Sequence, residues 1–85
     1  MKVKLLYFAS LRERFGTAEE ILELPGAQSR VATLVDVLRR RGAPWSELLS
    51  VDFPYRIAVN QELAGLISPL KDGDEVAIFP PVTGG

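Results

Sequence analysis

Cysteine and histidine are both absent from this chain, and lysine occurs only at positions 2, 4 and 71. Without cysteine there is no disulfide, no thiolate zinc site and no thiol nucleophile. Without histidine the usual proton shuttle at neutral pH is missing. A charge excess is also lacking: ten Lys and Arg face eleven Asp and Glu, for a net charge of −1. That balance argues against nucleic acid, which needs a clustered positive surface. No apolar run approaches the roughly 20 residues of a membrane helix. Met1-Lys2-Val3-Lys4 enters a short strand rather than a signal peptide, so the expectation is a cytoplasmic protein with no membrane partner. Carboxylates, a few hydroxyls and the chain terminus are what remain for chemistry. Such a chain is poorly equipped to be an enzyme alone, and neither a metal site nor a bound cofactor is expected.

Eighty-five residues, 47% hydrophobic and 25% charged, make one small soluble domain with a single core. Lys2 to Phe8 reads as a central strand, with Val3, Leu5 and Tyr7 on one face and Lys2, Lys4, Leu6 and Phe8 on the other. Ala9 to Phe15 reads as one or two helical turns with Ser10 as N-cap, Glu13 completing a capping box, and Gly16 as the stop. Glu19 to Leu24 is a second, antiparallel strand closed by Pro25-Gly26. Gln28 to Arg30 reads as a connection. Thr33 is expected to cap a helix running to Arg41, with Val31, Leu34, Val37 and Leu38 buried. Arg39-Arg40-Arg41 reads as a solvated, dipole-matched helix end rather than an anion site. Trp45, Leu48 and Leu49 are expected to fold back onto the core from an irregular stretch. Arg56 to Asn60 and Glu75 to Phe79 are strands, and Leu63 to Ile67 is a brief edge strand. Lys71-Asp72-Gly73-Asp74 is a turn, without the ligand spacing of a calcium loop. One helix on one face of a mixed sheet, with the first and last strands parallel in the middle, defines an α+β fold of the β-grasp, or ubiquitin-like, type.

The chain leaves that sheet as Phe79-Pro80-Pro81-Val82-Thr83-Gly84-Gly85. The division expected is a domain over 1–79 and an extended tail over 80–85. Two prolines favour an extended path, and two glycines allow close approach to another surface. Fully extended, the tail could reach roughly 20 Å. A Gly-Gly ending alone also fits a frayed terminus. The strand faces add to it. Phe8 and Phe79 fall on the face opposite the core residues, at neighbouring strand ends, and Leu63 can join them. An apolar patch beside a protruding tail suits docking; the competing expectation is that Ala9 to Phe15 closes over it.

Leu6-Tyr7-Phe8-Ala9 with Leu11-Arg12-Glu13, then Val59-Asn60-Gln61, and above all the run from Pro69 to Gly85, resemble the small subunit of molybdopterin synthase, the MoaD type. The resemblance spans the chain but says little about Gly26 to Pro54. It implies a sulfur carrier with no bound cofactor. An E1-like, MoeB-type adenylating enzyme would activate the Gly85 carboxylate with ATP as a glycyl adenylate. Sulfur would then convert Gly85 to 1-thioglycine, a thiocarboxylate. The tail (Pro80, Pro81, Val82, Thr83, Gly84, Gly85) would enter the MoaE-type large subunit, which supplies the acid-base groups, and donate sulfur to cyclic pyranopterin monophosphate. Two such transfers make the molybdopterin dithiolene. Phe8, Leu63 and Phe79 match positions that pack on the large subunit, and the assembly implied holds two small and two large subunits. Open alternatives are a carrier for thiamine or tRNA thiolation, a ubiquitin-like modifier of lysines, and a structural interaction domain with an incidental tail.

Overall fold

A computed structural model describes residues 1–50 and 53–81. The elements run β1 (Lys2–Tyr7), α1 (Ala9–Phe15), β2 (Glu19–Glu23), β3 (Gln28–Arg30), α2 (Val31–Arg39), α3 (Trp45–Leu48), β4 (Arg56–Val59), β5 (Glu62–Ala64), β6 (Pro69–Lys71) and β7 (Glu75–Phe79). The main sheet has the order β2-β1-β7-β4-β5, with β1 and β7 parallel at its centre. This is the β-grasp arrangement expected from the alternation of apolar residues.

Side-chain alternation sets the core. Val3, Leu5 and Tyr7 of β1, Leu22 of β2, Ile57 of β4, and Val76 and Ile78 of β7 are all buried on one face. Val31, Leu34, Val35 and Leu38 of α2 cover them. Val35 takes the core place expected for Val37, which is half-buried. Leu48 of α3 and Leu49 just after it close the same core.

Gly16 ends α1 as expected, in the left-handed conformation at a φ of 75° with its N–H donated to the Arg12 carbonyl, but the N-cap expectations fail. Ser10 lies inside α1, whose N-cap position is Phe8, without a side-chain cap. The chain turns there through Ala9, at a φ of 52°, and Leu11 and Arg12 donate their N–H groups to the Phe8 carbonyl. α2 begins at Val31 rather than after Thr33, and again no side chain caps it. Its first N–H groups go instead to a distant loop: Val31 donates to the Ser68 carbonyl at 3.0 Å and Ala32 to that of Leu66 at 2.9 Å. A helix start must place its orphan donors somewhere, and here tertiary carbonyls take them. The same approach pairs Gln28–Arg30 with Pro69–Lys71 as a second, two-stranded sheet. What read as a connection is therefore a strand. The edge strand expected over Leu63 to Ile67 shrinks to β5, and Ile67 is exposed.

The helix end also differs. α2 stops at Arg39, and Arg40 pairs with Asp36 one turn back. Arg41 is not a solvated end but crosses to β2, where its guanidinium holds Glu20 through two bonds of 2.9 and 2.7 Å. The Tyr7 hydroxyl donates to the same carboxylate at 2.8 Å. The guanidinium lies over Trp45, 4.6 Å from the ring centre, and Trp45 stacks on Phe15 at 3.9 Å. This cluster fastens α1, the segment after α2, and β2 together on the covered side of the sheet. The Arg41 bonds hold Glu20 below the usual carboxylate range, more than its burial raises it. Burial, then the bond to Glu20, pushes the Tyr7 hydroxyl well up.

Candidate functional site: the uncovered sheet face and the tail root

The face opposite α2 is built by strand register. One rung runs Glu19–Leu6–Ala77–Ala58–Leu63 across the five strands. In the next, Phe79 stands opposite Arg56. Phe8 is brought beside Phe79 because its N–H donates to the Ile78 carbonyl at 3.2 Å, extending the β1–β7 pairing. The centre of the face is apolar. Ala58 and Ala77 stop at Cβ, so the patch is low in the middle, with Leu6, Phe8, Phe79 and Leu63 around it.

Phe8 keeps 46% exposure and Leu63 78%, while Phe79 is half-buried. The Ala9–Phe15 segment does not close over them. The turn at Ala9 sends Leu11 into the core and Phe15 against Tyr7 and Trp45, so α1 stays on the other side. Leu6, Ala58 and Ala77 complete the patch. Outward alternation marks Leu6 in the sequence, but their meeting depends on a register no local pattern reveals.

Two polar devices hold the face in shape. At the β4–β5 hairpin, Asn60 and Gln61 take φ of 50° and 70°, the left-handed pair of a tight hairpin turn. Asn60 donates to Asp74 Oδ1 at 3.0 Å and accepts from the Glu75 N–H at 3.0 Å, and its own N–H reaches the Glu75 carbonyl at 2.8 Å. Asp74, only 5% exposed, also accepts from the Lys71 N–H at 2.9 Å. The Val59-Asn60-Gln61 and Asp72-Gly73-Asp74 motifs are thus one network, which locks the start of β7 against the hairpin. At β1, the Lys2 N–H donates to Asp72 Oδ1 at 2.7 Å and the Gly73 N–H to the Lys2 carbonyl at 2.8 Å. The acids of this turn serve structure, and no cluster of His, Cys, Asp or Glu among the described residues could hold a metal.

β7 ends at Phe79 because Pro80 has no N–H to continue the ladder. The chain leaves from the middle of the sheet, beside Phe8. Pro80 and Pro81 are half-buried at this root. Val82, Thr83, Gly84 and Gly85 lie outside the described residues. Among the described residues no helix is long and apolar enough to cross a membrane.

A mixed sheet with a parallel central pair, one main helix across one face and, among the described residues, no element over the other, is a ubiquitin-like β-grasp domain. The ThiS family model matches residues 5–85, and the chain belongs to that family. It is 41% identical over 83 residues to the molybdopterin synthase sulfur carrier subunit of Escherichia coli (strain K12), covering 98% of this chain and 99% of the relative. It is 42% identical over 91 residues to the protein of that name from Chlamydomonas reinhardtii, covering both chains in full. Among solved structures, a putative molybdopterin converting factor subunit 1 from Pyrococcus furiosus superposes with a TM-score of 0.79 at 36% identity, covering 96% of this chain and 99% of that one. Small archaeal modifier protein 1 of Haloferax volcanii follows at 0.77 and 28%, over 95% and 98% of the two chains. A third match, at 0.69 and 26% over the whole of both chains, comes from a complex of subunits 1 and 2 of the molybdopterin-converting factor of Helicobacter pylori 26695.

Proposed function

We propose that this chain is the sulfur-carrier small subunit of a molybdopterin synthase, working in the cytoplasm. The observation that carries the proposal is an exposed apolar sheet face ending at the root of a Pro-Pro-Val-Thr-Gly-Gly tail, in a chain that matches molybdopterin synthase sulfur carrier subunits end to end.

The chemistry follows from what the chain has and lacks. A carboxylate is a poor electrophile until it carries a good leaving group. The Gly85 carboxylate displaces pyrophosphate from ATP in the site of an E1-like enzyme, and a sulfur nucleophile then displaces AMP, leaving a thiocarboxylate. Gly84 and Gly85 are narrow enough to enter both that site and the channel of the large subunit. Pro80 and Pro81 lower the entropy lost when the tail is ordered. Sulfur reaches cyclic pyranopterin monophosphate, and acid-base groups come from the large subunit, since no histidine or cysteine is present. Phe8, Leu63 and Phe79 seat the domain on that subunit while the tail is inserted. The Helicobacter pylori complex of subunits 1 and 2 supports a partner of this kind. Two small subunits sit at the ends of two large ones.

The test is the intact mass of the purified chain after incubation with its adenylating enzyme, ATP and a sulfur donor. One oxygen-to-sulfur exchange at Gly85 is expected. An unchanged mass, under conditions that load an established carrier, refutes the proposal. A second reading, conjugation of Gly85 to lysines of other proteins, draws on the likeness to an archaeal modifier. Gly85-dependent isopeptide products in cell extracts, without sulfur loading, are the outcome that selects it.

A further inference from the structure

Charge on the uncovered face is segregated. At the end away from the tail, Lys4 Nζ lies 3.5 Å from Glu19 Oε2, with Glu75 opposite Lys4 on β7. Lys2 stands opposite Glu23 further along the same face, so two lysines against three glutamates leave that end net negative. The apolar rung of Leu6, Ala77, Ala58 and Leu63 lies in between. At the tail end stands Arg56, directly opposite Phe79. Its residue is exposed, and it points outward because its neighbour Ile57 is buried in the core. Among the described residues no carboxylate lies within ion-pair distance of it; the three ion pairs found use Lys4, Arg40 and Arg41.

An apolar seat that is covered on docking takes its rim out of water. A guanidinium there, five donors in a rigid fork, is costly to cover without a carboxylate to receive it. The seat itself is nearly featureless, and two small alanines at its centre do little to set orientation. A positive group at one end and a net negative group at the other would do so, since the reversed docking sets like charges against each other.

We infer that Arg56 is the orientation-fixing contact of this face. It engages a carboxylate of the large subunit placed beside the opening that receives the tail, so that the domain seats with Phe79 and Pro80 at the mouth. The inference rests on the proposed function, and adds to it the chemistry required of the partner's surface. Arg56 touches no reacting atom, and is a positioning residue.

Titration calorimetry of the full chain against the large subunit of the same molybdopterin synthase, at several salt concentrations, tests it. Arg56→Glu is expected to weaken binding at least about tenfold, as charge reversal at a close interfacial pair does. Arg56→Leu is expected to weaken it less and to flatten the salt dependence, while Arg56→Lys keeps part of both. Thermal midpoints should move little, because the side chain is exposed and outside the core. Should Arg56→Glu fail to fold, the salt slope of Arg56→Leu decides alone. Binding of the Glu and Leu variants within about twofold of wild type, or an unchanged salt slope for Arg56→Leu, overturns the contact. A wild-type chain that does not bind at all removes the assigned partner itself, a distinct result that takes the contact with it.

Discussion

Phe79→Asp separates docking from folding. Phe79 is the last residue of β7, half-buried on the uncovered face, with buried Ile78 before it. Because the ring is already partly wet, removing it forfeits only part of the roughly 1.5–3 kcal/mol that full burial of such a side chain contributes, about 1 kcal/mol. Poorer strand propensity adds up to about 1 kcal/mol. The introduced carboxylate stands directly across from Arg56, and an opposite-charge cross-strand pair returns about 0.2–1 kcal/mol. The net cost to the fold is at most about 2 kcal/mol, against about 5–15 kcal/mol of total stability. The thermal midpoint should fall by no more than about 15 °C, with the domain still folded at 25 °C. At the interface the same change forfeits the remaining burial of the ring and sets a carboxylate in an apolar seat, a loss of at least about 3 kcal/mol, or more than a hundredfold in Kd. Calorimetric binding to the large subunit, with a circular-dichroism melt of the same sample, reads both. Binding that survives, or that declines only as the folded fraction does, would refute the reasoning and make Phe79 a residue of the fold alone.

Glu20 should make part of the stability acid-sensitive. Its carboxyl is held below the ordinary value of 4.5 by Arg41, so the stabilisation is present above that value and lost as pH falls through the lower folded one. Glu20→Gln should flatten the acid limb of a urea-midpoint profile below about pH 5; an unchanged slope would count against it. Gln61→Gly should stabilise the domain by about 0.5–1 kcal/mol, since a residue at φ 70° is strained unless it is glycine; a lower urea midpoint would contradict the turn geometry. Adding residues after Gly85 should abolish sulfur loading, measured by intact mass, with the melt unchanged. Loading on an extended chain would refute the terminal mechanism.

The alternation in Lys2–Phe8 and Glu75–Phe79 was enough to assign inner and outer faces, because a strand's side chains alternate whatever surrounds it. Hence Phe8 and Phe79 were readable as outward, and the core of Val3, Leu5, Tyr7, Val76 and Ile78 as inward. Helix starts were not readable. Ser10 and Thr33 carry the right chemistry for caps, but α1 starts on the Phe8 carbonyl and α2 on the carbonyls of Leu66 and Ser68, and nothing near Val31 in the chain announces the latter. The role of Arg41 is hidden for the same reason, since its partner Glu20 lies 21 residues away.

By itself, then, the sequence determined the make-up of the Pro-Pro-Val-Thr-Gly-Gly ending, the want of cysteine and histidine, and the residues each strand turns outward. These are local properties: which atoms are present and how a strand alternates. Only the tertiary structure decided that Leu6, Ala77, Ala58 and Leu63 form one rung with Phe8, Phe79 and Arg56 beside it. Register between strands far apart in the chain is set by the shared core and by the Asn60–Asp74–Glu75 network. A surface composed across four strands exists only once that register is made.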